Sequence, residues 1–388
     1  MKIFKKIALL TLLLASSLQL LAIENGADQI DKILPLLSGK RVGLIINHTS
    51  VVGDSQVSLL DTLLSHRVDV VSVFAPEHGF RGDADAGESV ANGKDVKTGV
   101  PIISLYGSNK RPSKEQLSGI DVLVFDIQDV GVRFYTYIST MYYAMQACAQ
   151  YGVAMVVLDR PNPNDYIDGP IISDDLKSFV GALSIPILHG LTVSELALMI
   201  NGEGWCEAGE VDLSVVPIKG WHHGKPYELP IKPSPNLPNA QAVALYPSLC
   251  FFEATDISVG RGTYMPFQVL GYPDAKYGDF EFMPRSLAGF DKNPLQKDRK
   301  CYGVDLRQVD APKGLSLEYF IDFMKISGKG AAFISRSQFF DMLCGDASLK
   351  GMLASGASMK EIKATWSEEL AEYRRMRKKY LLYPDARP

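Results

Sequence analysis

Apolar positions in the first half of the chain fall into short runs separated by stretches of helical spacing. Arg41–Asn47 (RVGLIIN) is apolar and rich in β-branched residues, and Gln56–His66 repeats apolar residues at helical intervals. Further runs follow at Val68–Phe74, Pro101–Tyr106, Asp121–Asp126 (DVLVFD) and Val153–Asp159, with a helical pattern over Phe134–Tyr151 before the last. A strand with one wet face alternates apolar and polar residues, whereas these runs are nearly continuous. They predict parallel strands covered on both faces by the intervening helices. The expected fold class is α/β, a Rossmann-like doubly wound, mostly parallel sheet. Thr192–Gly202 predicts another helix, with Thr192 or Ser194 to cap it and Gly202 at its end. Val211–Pro217 predicts a further strand.

Beyond that strand the pattern changes. Pro230 and Lys232–Pro238 (KPSPNLP) fit neither a helix nor a central strand, and residues 218–240 read as a long functional loop at a domain junction. The remainder mixes strands (Leu249–Glu253, Phe267–Gly271, Gly303–Val309) with helices (Ser316–Lys325, Met359–Lys379), as in a smaller α+β domain. The expected organisation is a leader over 1–22, a Rossmann-like catalytic domain over 23–230 and a smaller domain over 231–388 that completes a cleft. The leader is read from Lys2, Lys5 and Lys6, the apolar Ile7–Leu14 and the small residues up to Ala22. Ser16, Ser17 and Gln19 interrupt its apolar run, which leaves it short for a membrane span. It predicts export to the periplasm or the extracellular space.

Composition narrows the function. The chain is 46% hydrophobic and 22% charged with a net charge of −4, which fits a soluble globular protein and argues against a nucleic-acid partner. The five cysteines are widely spaced, and without a CxxC or zinc-type pattern they predict buried free thiols and no metal site. No GxGxxG follows the first strand and no Walker loop occurs, so neither a nucleotide nor another cofactor is expected. The serine-hydrolase elbow GxSxG is also absent.

Four predicted strands run straight into dense polar motifs: Asn47-His48-Thr49-Ser50, Pro76–Gly82, Asp126–Gly131 and Asp159–Pro163. Loops at the carboxyl ends of parallel strands converge on one crevice, so together these motifs point to a site. Pro76–Glu88 (PEHGFRGDADAGE) is the densest. Crowded carboxylates repel one another, which allows one to stay protonated as a general acid while another is ionised. Glu77, at the strand end, is the leading acid, with Glu88 or Asp126 as the second carboxylate. Candidate binding groups are Asn47, His48, His78, Arg81, Gln128, Asp129, Arg133, Tyr135, Tyr137, Asn236, Glu253 and Arg261. Aromatic rings beside amides and carboxylates suit a sugar, and an arginine suits a substrate carboxylate. Asp159-Arg160 reads as a possible internal ion pair.

These motifs carry a resemblance. NHTS, PEHGFRGDADAGE, SLYG, DIQDVGVRFYTYISTM, LDRPNP, PSPNLP, ALYP and FEATDISVGRGTYMPF, in this order, resemble the DUF1343 family, the NamZ-like exo-β-N-acetylmuramidases of glycoside hydrolase family 171. The chain departs from the family pattern at Asn164-Asp165-Tyr166, where a glycine pair is usual, and at Phe252–Asp256 (FEATD), where FEGTN is common. The resemblance implies removal of terminal β-N-acetylmuramic acid from the non-reducing ends of peptidoglycan fragments, at a cleft between the two domains. It implies muramyl saccharides as the ligands. From the residues alone, a metal-dependent cell-wall amidase or deacetylase and a non-catalytic peptidoglycan-binding module remain open.

Overall fold

The computed structural model describes residues 22–80 and 92–385. Its centre is a seven-stranded sheet of β1 (Arg41–Ile46), β2 (Asp69–Ala75), β3 (Gly93–Lys94), β4 (Pro101–Ser104), β5 (Val122–Asp126), β6 (Ala154–Leu158) and β7 (Leu213–Val216). The spatial order is β7-β6-β5-β1-β2-β4-β3. All neighbours are parallel except the short edge pair β3–β4. The chain builds outward from β1 to β2 and β4, then returns to lay β5 on the other side of β1. The order therefore reverses between β1 and β5, the topological switch point of an open α/β sheet.

Strand pleating divides the side chains between two layers. Val42, Leu44 and Ile46 join Val122 and Val124 under the helices Ile30–Leu37 and Leu59–Ser65. Ile45, Leu123, Phe125 and Val157 pack on the opposite face against the helices Tyr137–Tyr151 and Val193–Gly202. Thr192 caps the second of these, accepting from Glu195 N, while the Glu195 side chain accepts from Thr192 N. This reciprocal box satisfies two of the donors that a helix start leaves open.

The second, smaller domain holds a three-stranded antiparallel sheet (Val269–Tyr272, Cys301–Asp305, Phe280–Phe282) and a group of helices. Three details differ from expectation. Leu249–Glu253 is not a strand: Cys250–Ala254 forms a 3-10 turn that buries Phe251 against Phe340 and Phe252 against Phe320. A short apolar run has no periodicity to tell these states apart. Met359–Lys379 breaks at Trp366 into the helices Met359–Thr365 and Ser367–Arg377. The helix Ala240–Leu249 was hidden by its internal Pro247, which forfeits a backbone hydrogen bond.

The two parts share one core. Phe134 meets Phe251 and Tyr246 edge to face, at 5.7 Å and 5.4 Å between centroids. The chain end returns to the first domain, where the Tyr383 hydroxyl donates to Asp159 and accepts from Ile218 N. All five cysteines are buried and free. Among the described residues no helix is long and apolar enough to cross a membrane.

Candidate active site

A cavity of about 460 Å³ opens where the end of β2, the segment Phe134–Tyr137, the proline-rich loop and the second domain meet. β2 ends at Ala75, and Pro76 delivers Glu77 to the cavity wall. His78 and Gly79 then both take left-handed backbone conformations, with φ of 68° and 76°, and Gly79 N donates to Pro76 O at 3.0 Å. This tight reversal holds Glu77 at the sheet edge. The positive φ of His78 costs about 1 kcal/mol or more, strain of the kind that collects at functional sites. Thr136 Oγ1 donates to Glu77 Oε2 at 2.5 Å. Tyr106, in the loop after β4, faces Glu77, and its pKa is raised by burial first and then by the Glu77 charge. Tyr137 is raised for the same reasons, so both phenols stay protonated.

The facing wall comes from the second domain. Arg261 Nε donates to Glu253 Oε1 at 2.5 Å, and its guanidinium lies 5.2 Å from the centroid of the Phe267 ring. Burial opposes the Arg261 charge, but the Glu253 carboxylate outweighs it and holds the group protonated. The aromatic lining is continuous: Tyr135 meets Tyr137 at 4.9 Å and Tyr246 at 5.9 Å, and Tyr246 meets Phe267 at 4.9 Å. Ser234, Asn236 and Asp291 complete the polar rim. Asn236 is pinned by its Nδ2 donating to Phe290 O at 2.9 Å, and its Oδ1 is shielded without a hydrogen-bond partner. An aromatic surface with a few convergent polar groups is suited to a sugar ring.

Of the residues singled out from sequence, Glu77, His78, Tyr135, Tyr137, Asn236, Glu253 and Arg261 line this cavity. Arg81 and Glu88 lie outside the described residues, as do Asp83 and Asp85. The remaining candidates are corrected by their partners. Asp126 is fully buried, and its two carboxylate oxygens accept from Arg160 Nε at 2.6 Å and Nη2 at 2.9 Å, so it has no free edge for catalysis. Arg160 therefore pairs with Asp126 and not with its neighbour Asp159. Arg133 is fully buried and donates to the carbonyls of Pro170, Ile185, Leu343 and Cys344, which makes it a cross-domain staple. Gln128 Nε2 donates to Asp129 O and Pro161 O, both at 2.8 Å. Asp129 Oδ2 accepts from Gly131 N at 2.6 Å and shapes the turn. Asn47 Oδ1 accepts from Thr49 N and Oγ1, and behind the cavity Asn47 is turned toward Tyr137. His48 Nε2 contacts Lys232 O at 2.8 Å and fixes the proline-rich loop.

Most polar groups at the switch point thus hold loops together, although Asp129 Oδ1 is buried without a hydrogen-bond partner, and the cavity lies beside them, over the ends of β2 and β4. Tyr106 and Thr136 were missed as site residues. Both stand inside quoted motifs (SLYG and DIQDVGVRFYTY), but only the fold brings them to Glu77.

The chain is similar to known proteins over most of its length. The family model described as exo-β-N-acetylmuramidase NamZ, N-terminal, matches residues 42–241, and its C-terminal counterpart matches residues 244–383. The peptidoglycan β-N-acetylmuramidase NamZ of Bacillus subtilis (strain 168) is 39% identical, over 91% of this chain and 90% of that protein. A crystal structure of a DUF1343 family protein from Bacteroides fragilis NCTC 9343 superposes with a TM-score of 0.86 at 45% identity, covering 94% of this chain and 99% of that one. A second DUF1343 protein of that strain gives a TM-score of 0.81 at 31% identity, covering 93% and 99%.

Proposed function

Since the chain belongs to the NamZ exo-β-N-acetylmuramidase family and is a glycoside hydrolase, we propose that it releases terminal non-reducing β-N-acetylmuramic acid from peptidoglycan fragments by carboxylate acid/base catalysis, with Glu77 as the general acid. The observation that carries this reading is a single strand-end carboxylate held against an aromatic-lined cavity between the domains. Thr136 and Tyr106 both hydrogen-bond Glu77 and aim it into the cavity, where it protonates the glycosidic oxygen as the bond breaks. The aromatic lining receives the apolar ring face, and a water that enters from the polar rim supplies the hydroxyl that replaces the leaving group at the anomeric carbon. The neutral Tyr106 and Tyr137 hydroxyls are donors beside the position where negative charge develops. Asp126 being committed to Arg160, Glu88 is the proposed second carboxylate, on the strength of its place in the same acidic motif.

The test is a Glu77→Gln variant assayed on a defined disaccharide that carries β-N-acetylmuramic acid at its non-reducing end, with products identified by mass. Loss of about 10²–10⁴-fold in kcat is expected with the thermal transition retained. A folded variant with near wild-type turnover overturns the assignment. We further propose, from the charged and apolar pattern of residues 1–22, that the protein is exported and acts outside the cytoplasm. The N-terminal sequence of the protein recovered from the cell envelope tests this, and an intact N-terminus on cytoplasmic material refutes it.

A further inference from the structure

We propose that Arg261 distinguishes a muramic-acid unit from a glucosamine unit by pairing with the carboxylate of the 3-O-lactyl ether. This rests on the muramidase reading above and specifies how that site selects its sugar. N-acetylmuramic acid and N-acetylglucosamine differ only in this ether, so a site that separates them must recognise its apolar carbons or its charge. The structure supplies a fixed cation for the charge.

Arg261 lines the cavity and keeps 19% side-chain exposure. Glu253 occupies only its Nε edge, at 2.5 Å. Nη1 is shielded from solvent and has no hydrogen-bond partner. A buried, charged N–H left unpaired is costly, and an arrangement that keeps one in place is poised for an acceptor that arrives with the substrate.

The side chain is also held rigidly. Gly260 and Gly262, on either side of it, take φ of 82° and 74°. A Cβ at Gly260 would stand 2.6 Å from Met265 O, and one at Gly262 would stand 2.3 Å from Pro294 Cγ. The backbone that presents Arg261 therefore tolerates only glycine at both neighbours. Phe267 supports the guanidinium plane from one side. With Glu253 on Nε and Phe267 on one face, the Nη edge is the part left for a planar anion, a geometry to which a guanidinium binds in bidentate fashion and an ammonium does not.

Among the described residues, Arg133 turns its two Nη groups to four carbonyls and Arg160 pairs with Asp126 and Val51 O, and neither lines the cavity. Charge polarity across the cavity also orients the ligand. Asp291 repels an anion from its part of the rim, and the Glu253 carboxylate covers only Nε of Arg261, so a lactyl carboxylate seats at the Nη edge. That places the sugar's carboxylate-bearing edge toward the second domain and directs its other side to the wall that carries Glu77.

The experiment measures kcat/KM for the 4-nitrophenyl β-glycosides of N-acetylmuramic acid, its lactyl methyl ester and N-acetylglucosamine, with wild type, Arg261→Gln and Arg261→Lys. The expected result is a fall of about 100-fold in the muramic-to-glucosamine ratio in Arg261→Gln, as when a buried donor loses the acceptor it was built for. Arg261→Lys recovers a minority of that ratio. Wild type discriminates against the methyl ester by about tenfold or more, since esterification removes the charge and keeps the carbons. A ratio within threefold of wild type in a folded Arg261→Gln variant overturns the inference, because it shows loss of general positioning without loss of selectivity. If that variant does not fold, the wild-type comparison decides: equal turnover of acid and methyl ester overturns it. Where glucosamine turnover is too slow to measure, the inhibition constants of the two free sugars supply the ratio. Failure of wild type to cleave any muramic-acid glycoside would instead refute the proposed function itself.

Discussion

Arg133 and Arg261 carry the same side chain and end in opposite circumstances. Each stands in a motif rich in aromatic and polar residues, and neither neighbourhood reveals which guanidinium is spent. Arg133 is spent on four carbonyls from three distant segments, and burial pushes its pKa down to about 10, still protonated at neutral pH. Arg133→Met leaves those carbonyls without donors in a buried site. It is expected to cost about 3 kcal/mol or more, read as a shift in the urea midpoint, whereas the chemistry at Glu77 is untouched in whatever fraction folds. Thr136 is the reverse case: its hydroxyl holds the Glu77 carboxylate, the proposed general acid, and little else. Thr136→Val is expected to lower kcat about tenfold with KM and melting temperature nearly unchanged, because only the aim of Glu77 is lost. Steady-state kinetics beside a melting curve separates the two behaviours.

Among elements, the loops after the strands divide the labour. Those after β1, β5 and β6 lock one another at the switch point, and those after β2 and β4 carry the exposed chemistry. Gly131 shows how tightly the first group is packed. Its φ is 77°, and a Cβ there would lie 1.9 Å from Asn162 Oδ1. Asn162 in turn accepts from Asn164 N at 2.9 Å and donates to Leu191 O at 3.0 Å. Gly131→Ala must displace this asparagine as well as adopt a strained backbone. A loss of about 2–4 kcal/mol is expected in equilibrium denaturation, together with reduced activity, since Phe134–Tyr137 hangs from the same turn. The departure at Asn164-Asp165-Tyr166 belongs here too. Asn164 Nδ2 donates to Val130 O and Val243 O, and Asp165 accepts from His223, so these residues tie loops together and do not line the cavity.

At the scale of the whole molecule, the chain end closes the structure through buried charges. His223 sits between Asp165 and Glu195 at 3.0 Å to each, and Arg377 lies against it. Burial works against its charge, but hydrogen bonds to the two carboxylates raise its pKa. Asp159, which accepts from Thr192, Ser194 and Tyr383, is raised to about 7, chiefly by burial. Both folded-state values lie above the unfolded ones. Each group therefore contributes stability that is full below its unfolded pKa and is lost as pH rises through its folded value. For Asp159 that window runs from about 4 to about 7. Melting temperature is expected to fall between pH 5 and pH 8, and the fall is expected to be smaller in Asp159→Asn, which has no charge to bury; equal slopes in the two proteins would contradict this. None of this network was legible beforehand, since the partners of His223 lie up to 154 residues away in the chain. What the chain declared by itself was local. Continuous apolar runs meant strands covered on both faces, and the place of Glu77 directly after its strand was readable from the order of residues. Which polar groups remained free was decided only in three dimensions. A side chain's availability depends on whether distant carbonyls and carboxylates reach it, and Asp126 with Arg160, Arg133 with its four carbonyls, and Arg261 with its bare Nη1 were sorted by that alone.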